Sequence, residues 1–485
     1  MLHRTIVFAL LLLAAPAQAR GPAPDALPAG MVSAADPRAA AAGVEMLRRG
    51  GSATDAALAT LLALTVVEPQ SSGIGGGGFL MADDGRGRIE TFDGRETAPA
   101  AATPDWFKTN GQYLAFRQAI PGGISVGVPG NVAMMKLAHR RHGRLAWKDL
   151  FGPAIRLARD GFAVTPRLNE YLGRFKGNAA FSAEGRALYF GPDGEPLPVG
   201  ATLRNPALAD FLERLAHKGL RAFYTGDNAR ALARAVAQAE RRPAPLTVAD
   251  LAGYRARQRD PVCAAYRGYR LCGMGPPSSG ATTVFGILGL LERFDMKALG
   301  PDSPTSWHLF AEAARLAYAD RDRWLADADF VPVPVAGLLA PDYIAARAQL
   351  IAPDRAMASV AAGTPPGVTV AMADGPVRDV PSTSHFVAID RKGRAATLTS
   401  TIEGPFGAGI IVNGYFLNNE LTDFAMVPEA NGKPVANRVE AGKRPLSSMA
   451  PTLVYDPAGK LRLAIGAAGG KTIPSQVAKA IVGVI

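Results

Sequence analysis

TSHFVAIDRKGRAATLTST, residues 383–401, decides how this chain is built. Two β-patterned arms, 383–390 and 394–401, flank Arg391-Lys392-Gly393. β-Branched and aromatic residues around a glycine-bearing turn predict an antiparallel hairpin. With a three-residue loop and Gly393 in the left-handed position, Asp390 pairs with Arg394 and Thr383 stands opposite Thr401 on one face. A two-residue Lys392-Gly393 loop shifts that register by one. A threonine hydroxyl is a weak nucleophile unless a base lies beside it, and an α-amino group, with a pKa of about 8, is such a base. A cut immediately before Thr383 therefore supplies nucleophile and base on one residue.

The preceding stretch, residues 361–382 (AAGTPPGVTVAMADGPVRDVPS), carries four prolines and three glycines. It reads as a mobile strap that can be severed between Ser382 and Thr383 without unravelling a core. The same residues also fit an ordinary exposed linker, and on their own they leave both readings open.

A chain of 485 residues with 48% hydrophobic content buries a large core and is neither disordered nor fibrous. Its start, MLHRTIVFALLLLAAPAQA, joins a basic end, an apolar run of roughly ten residues and the small-residue site Ala17-Gln18-Ala19. This predicts a secretory signal over 1–19 and a bacterial periplasmic or secreted protein with no membrane segment in its mature form. The net charge of +11 is spread along the chain, which argues against a nucleic-acid partner. The densest cluster, His139-Arg140-Arg141-His142-Gly143-Arg144, reads as a helix end with cations at its C-terminus. His139 and His142 lack a third ligand nearby, so a solvated face is expected there and no metal.

Cys263 and Cys272 flank AAYRGYRL. A two-residue Arg267-Gly268 turn pairs 266 with 269 and sets Cys263 directly opposite Cys272, close enough for a disulfide. Helices are expected over 37–49, stopped by Gly50-Gly51, and over 53–67, where Ser52 and Asp55 form a capping box. The glycines of 75–78 lack a following Gly-Lys-Ser/Thr, so they serve close backbone packing and not phosphate binding. Residues 147–350 alternate helical stretches with short strands, and from Thr383 the pattern turns strand-rich.

Several long words then accumulate in order: MVSAADPRAAAAGVEMLRRGGSATDAALA, VVEPQSSGIGGGGFLM, FDGRETAP, AIPGGISVGVPG, GPPSSGATT, EAARLAYADRDRW, TSHFVAID, FLNNELTDF, GKRPLSSMAPT and AAGGKT. From about Gly30 to the last residue the chain resembles the gamma-glutamyltransferase family (gamma-glutamyl transpeptidase, glutathione hydrolase) of N-terminal nucleophile hydrolases. The resemblance implies an α+β fold, a four-layer αββα sandwich. It also implies a precursor that cuts itself into a large subunit, 20–382, and a small subunit, 383–485. The small subunit looks C-terminally truncated, since family small subunits run on and VAKAIVGVI reads as a helix in mid-course.

The resemblance also assigns roles. Thr383 is the nucleophile, toward the carbonyl before it and later toward a donor's γ-carbonyl, and Thr401 orients it. Gly469 and Gly470 supply oxyanion-hole N–H groups. Arg95, Ser447 and Ser448 hold the donor's α-carboxylate. Glu420 and Asp423 hold its ammonium, and Glu403 stands where relatives usually carry an asparagine. Three acids around one ammonium are too many unless one is protonated or faces away. Ala468, Lys471 and a short lid segment over 425–442 are further departures. The implied substrates are glutathione or other γ-glutamyl small molecules, with water, an amino acid or a peptide as acceptor and no cofactor. Two alternatives stand beside this reading: a cephalosporin- or glutaryl-type acylase of the same superfamily, and an unprocessed, inactive truncated homologue.

Overall fold

A computed structural model describes residues 30–375 and 382–485, so the signal expected over 1–19 lies outside the described residues. The strands that matter for the site are β1 (Gly30–Ser33), β2 (Gly77–Asp83), β3 (Ile89–Asp93), β4 (Arg257–Arg259), β5 (Val262–Tyr266), β6 (Tyr269–Gly273), β7 (Ser384–Asp390), β8 (Ala395–Thr401), β9 (Thr452–Tyr455) and β10 (Leu461–Ile465). They form a six-stranded antiparallel sheet in the order β1-β7-β8-β2-β3-β4 and a four-stranded one in the order β10-β9-β6-β5.

Side-chain alternation along the 383–401 hairpin separates the layers. Phe386, Ala388, Ala396 and Leu398 point to one side, into a core shared with helices α1 (Pro37–Arg48) and α2 (Ala53–Val67). Ile389 and Ala395 point to the other, where with Met81 they meet Cys272, Leu453 and Tyr455 of the second sheet. The far face of that sheet, with Tyr266, Leu271 and Val454, packs on α3 (Gly280–Leu291), α4 (Pro304–Trp324) and α5 (Ile473–Val484). Helix, sheet, sheet, helix is the expected αββα order. Each fully buried Leu or Phe in these layers contributes about 1.5–3 kcal/mol.

Helix α1 starts where Asp36 accepts from the Arg38 amide and Pro37 takes the first turn. For α2 the capping box is present: Asp55 N donates to Ser52 Oγ at 3.1 Å and Ser52 N to Asp55 Oδ2 at 2.9 Å. All of α2 is buried, which places it in the middle of the helical layer under β7 and β8.

Both hairpins take the expected registers. Asp390 N donates to Arg394 O at 2.9 Å, Gly393 adopts φ +74°, and Ser384 pairs with Ser400, which leaves Thr383 and Thr401 opposite each other. Arg267 and Gly268 both have positive φ, Tyr266 pairs with Tyr269, and Cys263 and Cys272 form a disulfide. The strap departs from expectation. Its described part is anchored to α4: Arg323 grips Asp374 at 2.7 and 3.0 Å, Gly375 N donates to Asp322 O at 2.9 Å, and Gly363 N donates to Asp320 Oδ1 at 2.7 Å. Proline and glycine exclude regular structure there, but single side-chain bonds still fasten it.

The His139 to Arg144 cluster is less solvated than expected. Arg141 and His142 both bond Glu90, at 2.6 and 2.9 Å, while His139 Nε2 lies 2.9 Å from Leu145 O. Among the described residues, no helix is long and apolar enough to cross a membrane.

Candidate active site

Residue parity sends Thr383 and Thr401 toward the gap between the sheets, at the end of the hairpin away from its turn. There Thr383 Oγ1 donates to Thr401 Oγ1 at 3.1 Å, and Glu403 N donates to the same Thr401 oxygen at 2.9 Å. Both threonines are buried. Thr383 has φ +109° and Glu403 φ +72°, left-handed conformations that β-branched residues above all avoid. Such a residue stores about 1–3 kcal/mol and persists only where its surroundings hold it.

Residues 68–78 supply those surroundings. Ser382 Oγ donates to Gln70 O at 3.0 Å, and Ser72 Oγ to Ser384 Oγ at 2.9 Å. A Cβ on Gly76 would lie 2.0 Å from Thr401 O, and one on Gly75 2.0 Å from Phe416 O. These glycines allow the close backbone approach expected of them.

A small cavity is lined by Arg95, Thr383, Thr401, Glu403, Glu420, Asp423, Ser447, Ser448 and Gly470, together with Met449 and Ile473. The structure thus brings together every proposed catalytic and substrate residue except Gly469, which precedes Gly470 in the turn before α5. Gly469 and Gly470 have φ of +132° and +58°, a turn that favours glycine. The cavity measures about 20 Å³, room for about one water and far less than an acyl group needs.

Arg95 follows β3 and is buried. Its amide donates to Asp93 Oδ1 at 2.8 Å, and its carbonyl accepts from Tyr254 Oη at 2.7 Å and from Arg444 Nη1 at 2.8 Å. Its guanidinium bonds Pro445 O and Leu446 O at 3.1 and 2.8 Å, which ties it to the segment carrying Ser447 and Ser448. The remaining N–H groups bond Glu420, and Asp423 Oδ2 at 2.5 Å. Here the structure differs from the expected division of labour. The two acids assigned to an ammonium hold Arg95 itself, as a buried guanidinium requires charged acceptors close by. Burial opposes the charge on Arg95, but Glu420, Asp423 and Glu96 outweigh it and hold the group charged beyond its ordinary range.

Glu403 is turned to Asn419, whose side-chain amide donates to it. Glu96 is a fourth carboxyl that the sequence reading missed. It lies 3.8 Å from Arg95 and is fully buried, and among the described residues neither of its oxygens has a hydrogen-bond partner. Burial, and then the charge of Glu420, push it well above its ordinary value. Adjacency to Arg95 in FDGRETAP was its one sequence signal.

His385, next on the Thr383 face, is half-buried against Thr399 Oγ1 at 2.9 Å, and burial pushes it down to about 3. It stands as a neutral side chain behind Thr383.

The sequence model described as Gamma-glutamyltranspeptidase matches residues 39–485. The glutathione hydrolase proenzyme of Bacillus subtilis (strain 168) is 39% identical over 462 residues, covering 93% of this chain and 77% of that protein. The glutathione hydrolase proenzyme of Escherichia coli (strain K12) is 36% identical over 460 residues, covering 93% and 77%. Among solved structures, cephalosporin acylase from Bacillus halodurans superposes with a TM-score of 0.82 at 26% identity, covering 98% of this chain and 84% of that one. Gamma-glutamyltranspeptidase from Helicobacter pylori gives 0.65 at 34% identity, covering 68% and 94%. The chain belongs to the gamma-glutamyltranspeptidase family.

Proposed function

We propose that the chain is the precursor of a self-cleaving enzyme that transfers the γ-glutamyl group of glutathione-like donors to water, an amino acid or a peptide. The observation that carries this reading is Thr383 itself: a strained, buried threonine, hydrogen-bonded to Thr401, facing a cavity that holds Arg95, Glu420, Asp423 and two serines.

In maturation the Thr383 hydroxyl attacks the Ser382 carbonyl, the peptide C–N bond breaks, and water hydrolyses the resulting ester. The large subunit ends at Ser382 and the small subunit begins at Thr383. Relief of the backbone strain at Thr383 favours the attack. The cavity of the uncut chain is too small for a donor, which fits a site that works only after the cut.

In turnover the freed Thr383 amine, near its pKa at neutral pH, takes the hydroxyl proton. The hydroxyl attacks the γ-carbonyl, and the Gly469 and Gly470 amides stabilise the oxyanion, where one donor is worth about 3–4 kcal/mol. Protonation of the leaving amine by the same group releases it, and the acceptor then breaks the threonyl ester. The donor's carboxylate replaces Glu420 and Asp423 on Arg95, and its ammonium takes those two acids. The leader over 1–19 supports export to the periplasm or the medium.

The test is intact mass measured on the chain without residues 1–19, beside Thr383→Ala. Two fragments summing to the precursor plus one water, absent from the variant, together with hydrolysis of γ-glutamyl anilide, are expected. A folded but uncut wild-type chain refutes the reading. An acylase remains the second reading because of the B. halodurans likeness, and preference for glutaryl over γ-glutamyl anilide would establish it.

A further inference from the structure

Two long sequence words have no task in the mechanism above: GPPSSGATT, residues 275–283, and EAARLAYADRDRW, residues 312–324. The fold brings both beneath the serine pair. Ser447 N donates to Pro277 O at 3.0 Å, Ser279 N and Oγ donate to Ser447 O at 2.8 and 2.7 Å, and Ser278 Oγ donates to Met449 O at 2.6 Å. The first word is therefore a splint along the backbone of the serine segment.

Arg321 of α4, buried at 2% exposure, reaches through this splint. Its Nη2 donates to Ser448 Oγ at 2.7 Å, its Nε to Ser279 Oγ at 3.0 Å and its Nη1 to Asp322 Oδ1 at 2.7 Å. A serine hydroxyl has one proton to give and accepts through its lone pairs. With a guanidinium donating into Ser448 Oγ, the Ser448 proton cannot point at Arg321, and the cavity is the other side that Ser448 faces. Arginine cannot deprotonate or accept, so this orientation holds at every working pH, whereas a neutral amide in its place could donate or accept. A charged donor also strengthens the bond its acceptor makes onward.

We propose that Arg321 is a positioning residue that fixes Ser448 as a hydrogen-bond donor toward the α-carboxylate of the acyl donor. The site then reads that carboxylate with two guanidinium groups, Arg95 directly and Arg321 through Ser448. The proposal rests on reading the cavity as a γ-glutamyl donor site. It goes beyond that reading in giving the buried arginine of α4 a part in specificity. The same helix turn also steadies the glycine turn: Tyr318 Oη donates to Lys471 O, and Lys471 Nζ lies 3.4 Å from Asp322 Oδ2.

The experiment compares three anilides on matured wild type, Arg321→Gln and Arg321→Lys. γ-Glutamyl and glutaryl anilides carry a carboxylate where Arg95 expects it, and 4-aminobutyryl anilide does not. Arg321→Gln is expected to raise KM for the first two by about tenfold, the scale of one charged hydrogen bond, with kcat within about threefold. It is expected to leave kcat/KM for the third unchanged, and Arg321→Lys should recover part of the loss. In a Ser448→Ala background Arg321→Gln should add little. Equal losses on all three anilides, a fall in kcat alone, or additivity with Ser448→Ala overturns the proposal. Should Arg321→Gln fail to mature, Arg321→Lys carries the same comparison. Wild type that matures yet leaves γ-glutamyl anilide intact refutes the site reading itself, and with it this proposal, whatever the variants do.

Discussion

Thr401→Val removes one hydroxyl and keeps the side chain's shape, so its effect can be worked from two bonds. Thr401 Oγ1 accepts from Thr383 Oγ1 at 3.1 Å and from Glu403 N at 2.9 Å, and all three residues are buried. Leaving a buried donor without a partner costs about 1–3 kcal/mol. The Glu403 share falls on stability, because that amide holds a residue with φ +72° in place whether or not chemistry proceeds. The Thr383 share falls on the reaction, because an unanchored hydroxyl must be ordered before it can attack. About 1–3 kcal/mol on the barrier is a factor of roughly 5 to 150. Conversion of precursor to two fragments, followed by intact mass over hours, should slow by that factor, while Thr401→Ser stays within about threefold of wild type. A Thr401→Val chain that is folded and cuts itself at the wild-type rate would refute the idea that Thr401 orients the nucleophile.

Gly76→Ala places a methyl group 2.0 Å from the carbonyl of Thr401, a backbone atom that cannot yield cheaply, so self-cleavage should fall by at least the Thr401→Val factor with a clear loss of thermal stability. Opening the Cys263 to Cys272 bridge, which closes a short loop in β5-β6, should cost about 2–3 kcal/mol in denaturant titrations, and intact mass should rise by two hydrogens on reduction. His385 is pushed down to about 3, so between about pH 6.5 and 3 the unfolded chain binds a proton that the folded chain refuses. Stability is therefore full above the ordinary histidine range and falls with acid by up to about 1.4 kcal/mol per pH unit from this group. His385→Gln should flatten that slope in urea titrations across the same range.

The parts legible in the sequence were those set by local rules. Gly393 in its left-handed position fixed the 383–401 register, and the Arg267-Gly268 turn fixed the cysteine pairing, because turn geometry and a period of two determine which residues face each other. Parity also told which face Thr383 shares, though not what lies across the gap. The parts missed are long-range and polar. Arg321 meets Ser448 across 127 positions, and Arg95 meets Glu420 across 325. No periodicity marks such pairs. Nothing in the sequence beyond its place next to Arg95 sets Glu96 apart, and only its burial beneath Arg95 pushes its carboxyl above the ordinary value. The strap was misjudged for a related reason: composition reports whether a segment forms helix or strand, and says nothing of an ion pair such as Arg323 with Asp374.

Charge separates the two acyl groups proposed for the matured site. Arg95 is the counter-ion of both Glu420 and Asp423, burial pushes Glu96 well above its ordinary value, and Glu403 is bonded to Asn419. A γ-glutamyl group brings one carboxylate and one ammonium, so it can exchange partners with the site and leave no charge unpaired. A glutaryl group brings the carboxylate alone. It would compete with the two acids for Arg95 and bring no cation of its own. γ-Glutamyl anilide is therefore expected to be hydrolysed with the higher kcat/KM, and an equal or higher value for glutaryl anilide refutes the charge argument. The TM-score of 0.82 with a cephalosporin acylase measures the αββα scaffold, which both chemistries share. The paired acids around Arg95 are what the two anilides test, and the proposed γ-glutamyl reading predicts preference for the one that carries its own cation.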